Sequence, residues 1–382
     1  MPRTLAPLFL TLVLLVSTSA AAPSGDSQPL TSTHPDPAAP LDSVPAPAAA
    51  PLRALWLIRD HLSSPAATRG AVTAACDLGA TDLFLQIRGR GDAFYRSALV
   101  PPPVMLRHQL RGDSLAWDPL AVALEEAHRR GVRLHAWFNV NLVWAEPAEV
   151  ASEHLLRAHP DWVLQLADGR SMTALSVKQR RDLGVEGIFL DPRPAPARAH
   201  LLAVVEELLL RYPVDGLHWD YVRAPRTPFA PDSVVTMAGA ISTFVYDAAT
   251  IARAVRPGLL LSAAVFPDPA EAFAQVHQDW PRWLADGAID QVVPMSYTQS
   301  TVRLDDWRRR ALHAGVGETQ LVTGLGVYKL APEALRTQLA WTGAHSPGGV
   351  ALFSLADLVK SPAAAAAVRE FWRSPASAPR AP

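Results

Sequence analysis

Eight short apolar runs recur between residues 53 and 355, and helical patterns fill the intervals between them. The runs are RALWLIR (53–59), TDLFLQIR (81–88), VRLHAWFNV (132–140), VDGLHWDYV (214–222), LLLSAAVF (259–266), DQVVPMSY (290–297), QLVTGLGVY (320–328) and GGVALFSL (348–355). Most are rich in the residues that strands favour. The intervals read as helices. Asp118 can cap a helix that begins at Pro119 and stops at Gly131, because proline suits the first turn and glycine the end. Residues 197–212 and 233–258 carry apolar side chains at helical spacing. Shorter helices fit Ser64–Gly79, Trp280–Gly287, Asp305–Gly315, Pro332–Trp341 and Ser361–Trp372.

Strands that alternate with helices pair in parallel, since each return path crosses the sheet. Eight such units in one domain predict an α/β fold, a closed (β/α)8 TIM barrel with insertions. An open doubly wound sheet is the alternative. Two strand-to-helix connections are long, Gly89 to Trp117 after the second strand and Asn141 to about Asp191 after the third. In a barrel such loops lie on the catalytic face. Trp117, Trp144 and Trp162 within them favour ordered, functional loops.

The ends of the chain differ from its middle. Arg3 is followed by an uncharged apolar run, Leu5 to Val16, and then by small residues to Ala22, the pattern of an export signal spanning 1–22. The run is shorter than the roughly 20 residues a bilayer span takes, so no membrane span is expected after cleavage. Residues 23–51 are Ala/Pro-rich and read as a disordered linker, 52–373 as the barrel, and 374–382 as a disordered tail. Cys76 is the only cysteine, so no intramolecular disulfide forms, and an inert core thiol is its expected role. Lys+Arg (35) and Asp+Glu (36) nearly cancel, which gives no electrostatic case for a nucleic-acid partner. Eleven tryptophans exceed what a core alone needs and suit platforms for flat ligands such as sugars.

Barrel geometry sorts the polar residues, because the C-terminal ends of the strands face the active site. Asp82, Asp215 and Asp290 each open a strand and are expected to support the fold. Asp220 closes the fourth strand. Alternation puts it on one face with His218, and Leu217, Trp219 and Tyr221 on the other. A carboxylate there is costly unless paired or used, and Arg223 stands three residues on as a possible partner. Gln86 and Arg88 are expected on one face of the second strand, and Asn139 with His135 and Trp137 on one face of the third. Asp268 follows the fifth strand, Tyr297 ends the sixth, and Tyr328 and Lys329 end the seventh. Asp92 lies in the opening loop, and the turn through Gly89 and Gly91 is expected to deliver Arg88, Asp92 and Tyr95 to the rim of the cleft. The Arg-Gly-Asp at 90–92 reads as a chance tripeptide, and Gly89-x-Gly91 lacks the remainder of a phosphate loop. No His-x-His stands on the first strand, so no metal and no cofactor is expected. Carboxylates with aromatic rings in a barrel suit glycoside hydrolysis, in which one carboxyl protonates the leaving oxygen and another attacks the anomeric carbon or activates water.

These residues resemble a known group, the glycosyl-hydrolase-like family 10. The blocks that carry the resemblance include FLQIRGRGDAFYRS (84–97), FLDP (189–192), RYPVDGLHWDYVRAP (211–225) and GLGVYK (324–329). The resemblance implies a TIM barrel similar to the amylase-type glycosidases, in exported enzymes whose partners are polysaccharides; one branch looks like a hydrolase of peptide-stripped peptidoglycan strands. It implies that Asp220 is the nucleophile. It also implies that Arg88, Asp92, Asn139, His218, Arg223 and Tyr297 line the cleft. Trp144, Tyr95 and Tyr328 join them as substrate-binding aromatics. The general acid/base is expected after strand five, at Asp268 and then Glu271, with Asp92 as the second choice. One departure stands on strand six, where the family's Pro-Gln-x-Tyr is Pro294-Met295-Ser296-Tyr297. A barrel that binds glycan without turnover is the alternative function.

Overall fold

The computed structural model describes residues 51–112, 114–145, 150–226 and 234–374. The signal segment 1–22, nearly all of the linker 23–51 and nearly all of the tail 374–382 lie outside the described residues. All eight apolar runs form strands: β1 Leu52–Leu57, β2 Asp82–Arg88, β3 Arg133–Asn139, β4 Gly216–Asp220, β5 Leu260–Val265, β6 Gln291–Pro294, β7 Thr323–Gly326 and β8 Gly349–Phe353. They form one parallel sheet in the order β6-β5-β4-β3-β2-β1-β8-β7. The two edges meet through parallel bridges, Val292 to Leu321 and Met295 to Gly324, and Val322 donates its N–H to the Val292 carbonyl at 2.9 Å. An open doubly wound sheet would leave those edges apart, so the chain is a nearly closed (β/α)8 barrel.

The longer helices are α1 Pro65–Leu78, α2 Pro119–Arg129, α3 Ala195–Arg211, α4 Val234–Val255, α5 Pro269–Val276, α6 Thr301–His313, α7 Pro332–His345 and α8 Pro362–Arg373. Asp118 caps α2 as expected, its Oδ1 accepting the Ala121 N–H at 3.1 Å. By length and composition α4 could cross a bilayer, yet 44 % of its most apolar window is buried inside the protein. Phe244 on α4 packs edge-on against Trp219 of β4 at 5.5 Å.

Apolar packing divides at the strands. Ala54, Trp56, Phe84, Trp137, Val293 and Ala351 fill the barrel interior, while Leu55, Leu83, Leu85, Leu134 and Leu217 face the helical shell. Such a two-sided burial needs near-continuous apolar strands, which is what the eight runs are. Cys76 sits half-buried against the shell, and burial pushes its thiol up.

The three aspartates that open strands fasten the barrel floor. Asp82 is fully buried and bonds His135 Nε2 at 2.9 Å and Arg133 at 2.8 Å. Asp215 accepts the Leu134 N–H at 2.8 Å and Asp290 accepts the Leu261 N–H at 2.7 Å, so each carboxylate ties its strand to the neighbouring one. At the other end, the long loop after β3 folds back as an antiparallel ribbon, Leu142–Trp144 against Ile188–Phe189. Trp144 and Trp162 are buried in that loop, Trp162 stacked on His159 at 3.7 Å.

Candidate active site

A cavity of about 870 Å³ opens at the C-terminal ends of the strands, and all eight strands or the residues just after them contribute to its wall. Asp220 lies in that wall, at the end of β4 and 7 % exposed. Its Oδ2 accepts the Trp137 indole N–H at 3.1 Å, and its Oδ1 accepts the Tyr221 backbone N–H at 2.7 Å. Tyr221 adopts φ 49, a left-handed backbone that a non-glycine residue rarely takes, so the chain turns sharply just after the N–H that holds the carboxylate. Burial pushes the Asp220 carboxyl up to about 6, against the opposing pull of the Arg223 charge and the two N–H groups. Both oxygens accept hydrogen bonds, which orients an anion rather than an acid.

Around it the wall is mixed. Asn139 is the register partner of Asp220 on β3 and donates Nδ2 to the Gly89 carbonyl at 2.9 Å. Tyr297, Tyr328 and Phe353 form an aromatic side, with ring centroids 5.8 to 6.2 Å apart. Burial pushes the Tyr297 phenol well above its ordinary value. Met295, at the position where the family carries an amide, also lines the cavity.

Arg223 lines the cavity but does not pair directly with Asp220. Its Nη2 donates to Glu186 Oε1 at 2.8 Å, and its guanidinium lies 4.5 Å over the Tyr221 ring. Glu186 sits just before the ribbon strand at Ile188, so the loop after β3 carries it across to the end of β4. It was not singled out from the sequence; the FLDP block ends the same ribbon, but nothing local ties residue 186 to residue 223.

Several expected residues sit elsewhere, for physical reasons. Asp268, the first choice for the acid/base, caps α5: Oδ1 accepts the Ala270 and Glu271 N–H groups at 3.0 and 3.2 Å, and Oδ2 accepts Arg310 Nη1 at 2.9 Å. It is buried away from the cavity wall, and Glu271, in the first turn of the helix it caps, lines the wall instead. Asp92 closes its own turn, Oδ1 accepting the Gly89 and Arg90 N–H groups at 3.1 and 2.9 Å, and is not part of the wall.

Arg88 does not share a face with Gln86. The register of β2 against β3 slips between them, Gln86 opposing Trp137 and Arg88 opposing Phe138. This bulge leaves Gln86 on the cavity and turns Arg88 outward. There it lies 4.7 Å over Phe138, donates to the carbonyls of Asn139 and Val140, and burial lowers its pKa to about 10. Tyr95 is buried edge-on to Tyr212 at 5.5 Å, and Trp144 packs on His154 at 5.3 Å; neither reaches the cavity. His218 does face inward with Asp220, but one layer deeper. It stacks on Phe84 at 3.9 Å, accepts the Trp56 N–H at Nε2 (3.1 Å) and bonds Ser262 through Nδ1 (2.9 Å). Burial holds its pKa well below the ordinary value, so it is neutral interior packing beneath the cavity.

The structure therefore brings Asp220, Asn139, Arg223, Tyr297 and Tyr328 together and adds Glu186, Glu271 and Trp137. Among the described residues, no group of three His, Cys, Asp or Glu side chains is placed to hold a metal ion.

Known proteins share this architecture. The structure is similar to the glycoside hydrolase domain of PgaB (BpsB) from Bordetella bronchiseptica, with a TM-score of 0.62 at 16 % identity, over 84 % of this chain and 99 % of that one. It is also similar to a chitinase from Cycas revoluta in complex with (GlcNAc)3, with a TM-score of 0.51 at 12 % identity, over 84 % of this chain and 99 % of that one. At such identities the likeness is one of fold. By sequence the chain is 25 % identical over 292 residues to the glycosyl hydrolase DigH of Escherichia coli, covering 66 % of this chain. The chain spans 63 % of that relative's length. A family model described as Glycosyl hydrolase-like 10 matches residues 51–238, from β1 through β4 and its Asp220. Through that segment the chain is similar to the glycosyl hydrolase-like 10 family.

Proposed function

We propose that this protein is an exported glycoside hydrolase that cleaves glycosidic bonds in a polysaccharide, with the glycan strands of peptidoglycan as its first candidate substrate. The observation that carries the reading is Asp220, a buried carboxylate at the end of β4 whose two oxygens are both oriented by N–H donors at the wall of an 870 Å³ cavity. Export rests on the sequence of residues 1–22.

In this reading Asp220 attacks the anomeric carbon while the glycosidic C–O bond breaks. Glu271 gives its proton to the departing oxygen. A glycosyl ester on Asp220 results. Glu271, now ionised, takes a proton from water as that water attacks the anomeric carbon, which frees the sugar, restores the Asp220 carboxylate and returns the proton to Glu271. The Trp137 and Tyr221 N–H groups hold Asp220 in line, and the rings of Tyr297, Tyr328 and Phe353 offer faces for sugar stacking.

One observation favours the competing reading, a barrel that binds glycan without turnover: of the two other wall carboxylates, Glu186 is ion-paired and Glu271 is exposed. Incubation with denuded peptidoglycan strands and a polysaccharide panel, followed by mass spectrometry, separates the two. The hydrolase releases new reducing ends, and Asp220→Asn abolishes that release by orders of magnitude with folding intact. Release that survives the substitution removes Asp220 from the mechanism; binding with no release by the native chain establishes the silent barrel.

A further inference from the structure

The whole chain is almost neutral, with 35 basic and 36 acidic residues, yet the cavity wall is not. Six of its lining side chains are Lys or Arg and three are carboxylates. Two of the cations stand as couples with aromatic rings on the side of the wall away from Glu186. Arg303, in the first turn of α6, lies 5.2 Å over the Trp307 ring one turn further on. Lys329, after β7, has its Nζ 5.7 Å from the Tyr328 ring and donates to the Tyr297 carbonyl at 3.2 Å. Gln299 links the two segments by donating Nε2 to the Lys329 carbonyl at 2.9 Å.

Neither cation is spent on a protein carboxylate among the described residues. The acids nearest Arg303 on its own helix pair one turn on, Asp305 with Arg309 at 2.9 Å and Asp306 with Arg310 at 3.0 Å. Arg303, Tyr328 and Lys329 are exposed, Tyr328 by 54 %, so both cations and the Tyr328 ring are open to a ligand that enters the cavity. An aromatic face beside a cation without a carboxylate partner suits a ring that carries a negative charge at its edge. The ring stacks, and the anion meets the cation.

We propose that this wall selects an acidic glycan: a sugar ring packs on Trp307 or Tyr328 while its carboxylate is bound by Arg303 and Lys329. The proposal rests on the reading of the cavity as a glycan site, but not on turnover there.

The test uses the full chain carrying Asp220→Asn, so that binding is read without cleavage, and isothermal titration as the readout. The probes are denuded peptidoglycan strands, the same strands with carboxylates converted to amides, oligogalacturonate, and neutral chito-oligosaccharide. At least one carboxylate probe binds about tenfold more tightly than the amidated strands, and more weakly as salt is raised. Arg303→Gln and Lys329→Gln each weaken that probe about fivefold and leave the chito-oligosaccharide unchanged, which separates charge recognition from misfolding. Preference for the strands identifies an ether-linked carboxylate, and preference for oligogalacturonate a ring carboxylate. Binding of both acidic probes no tighter than that of the amidated strands, no binding of either acidic probe, or indifference to both substitutions overturns the proposal. Carboxylate-dependent binding without reducing ends released by the native chain upholds it and removes the hydrolase reading instead.

Discussion

The Trp137 indole N–H donates to Asp220 Oδ2 at 3.1 Å, across adjacent strands of the barrel. This contact stabilises the ionised carboxylate, which burial otherwise pushes up to about 6. If Asp220 is the nucleophile, as proposed, it works only when ionised, so kcat/KM is expected to rise with pH through about 6. Trp137→Phe keeps most of the ring and deletes the donor, so it moves that limb upward. A hydrogen bond to a charged group contributes about 1.5–3 kcal/mol, and one pKa unit corresponds to about 1.4 kcal/mol, so a shift of about one unit is expected. The rate then falls about tenfold at pH 5 and much less at pH 8. A pH–rate profile checks this; a uniform loss at all pH values would mean that Trp137 acts only as cavity wall.

The same burial has a consequence for stability. The Asp220 carboxyl is raised in the folded state from an ordinary value of 3.8 to about 6. Between those values the native state binds more protons than the unfolded chain, so its contribution is fullest below about 4 and is lost as pH rises through 6. Two units correspond to about 3 kcal/mol at high pH. Asp220→Asn has no charge to bury. Its stability relative to the native chain is therefore expected to grow by about 3 kcal/mol from pH 4 to pH 8, whatever constant offset the altered hydrogen bonds add. Urea denaturation of both proteins across that range measures it, and a gap independent of pH would show that Asp220 is not desolvated.

Much of the fold was legible because it rests on local pattern. Eight apolar runs separated by helical intervals leave few topologies, and the position of an aspartate within its run separated Asp82, Asp215 and Asp290 from Asp220. The site was legible only in part. A one-residue bulge after Gln86 does not interrupt an apolar run, so period-two reading put Arg88 on the wrong face. Asp268-Pro269 carries the same capping signal as Asp118-Pro119, and the structure uses both aspartates as helix caps; a position just after a strand does not by itself distinguish a cap from a reacting group. Glu186 meets Arg223 only through the returning ribbon after β3, a contact 37 residues apart in the chain.

The division of labour between Asp268 and Glu271 gives a paired test. Asp268→Asn keeps the α5 cap, since Asn caps about as well as Asp, and loses only the charge facing the half-exposed Arg310, with a cost of about 0.5 kcal/mol and a small effect on turnover. Glu271→Gln removes the proposed proton donor and lowers turnover on natural glycan about 10²–10⁴-fold. An activated aryl glycoside, whose leaving group departs without a proton, recovers most of the first chemical step in Glu271→Gln. Steady-state kinetics on both substrates decide it; if Asp268→Asn is the more damaging change on natural glycan and is rescued by the aryl leaving group, the roles are reversed.

Asp82 tests the opposite end of the barrel. Burial alone would raise its carboxyl, but the hydrogen bond and charge of His135, with Arg133, outweigh it and hold Asp82 below the usual range. Its contribution is therefore present at neutral pH and is lost as pH falls below 3.8 toward the folded value. Asp82→Ala leaves His135 buried without its carboxylate, a loss of about 3 kcal/mol, at the low end for a broken buried pair because Arg133 is half in water. The cavity lies at the other ends of the strands, so kcat per folded molecule is expected to change less than twofold, far less than the change expected for Asp220→Asn. Denaturation midpoints read beside active-site-normalised rates separate the two effects, and a rate loss matching that of Asp220→Asn would mean that the barrel floor shapes the site directly.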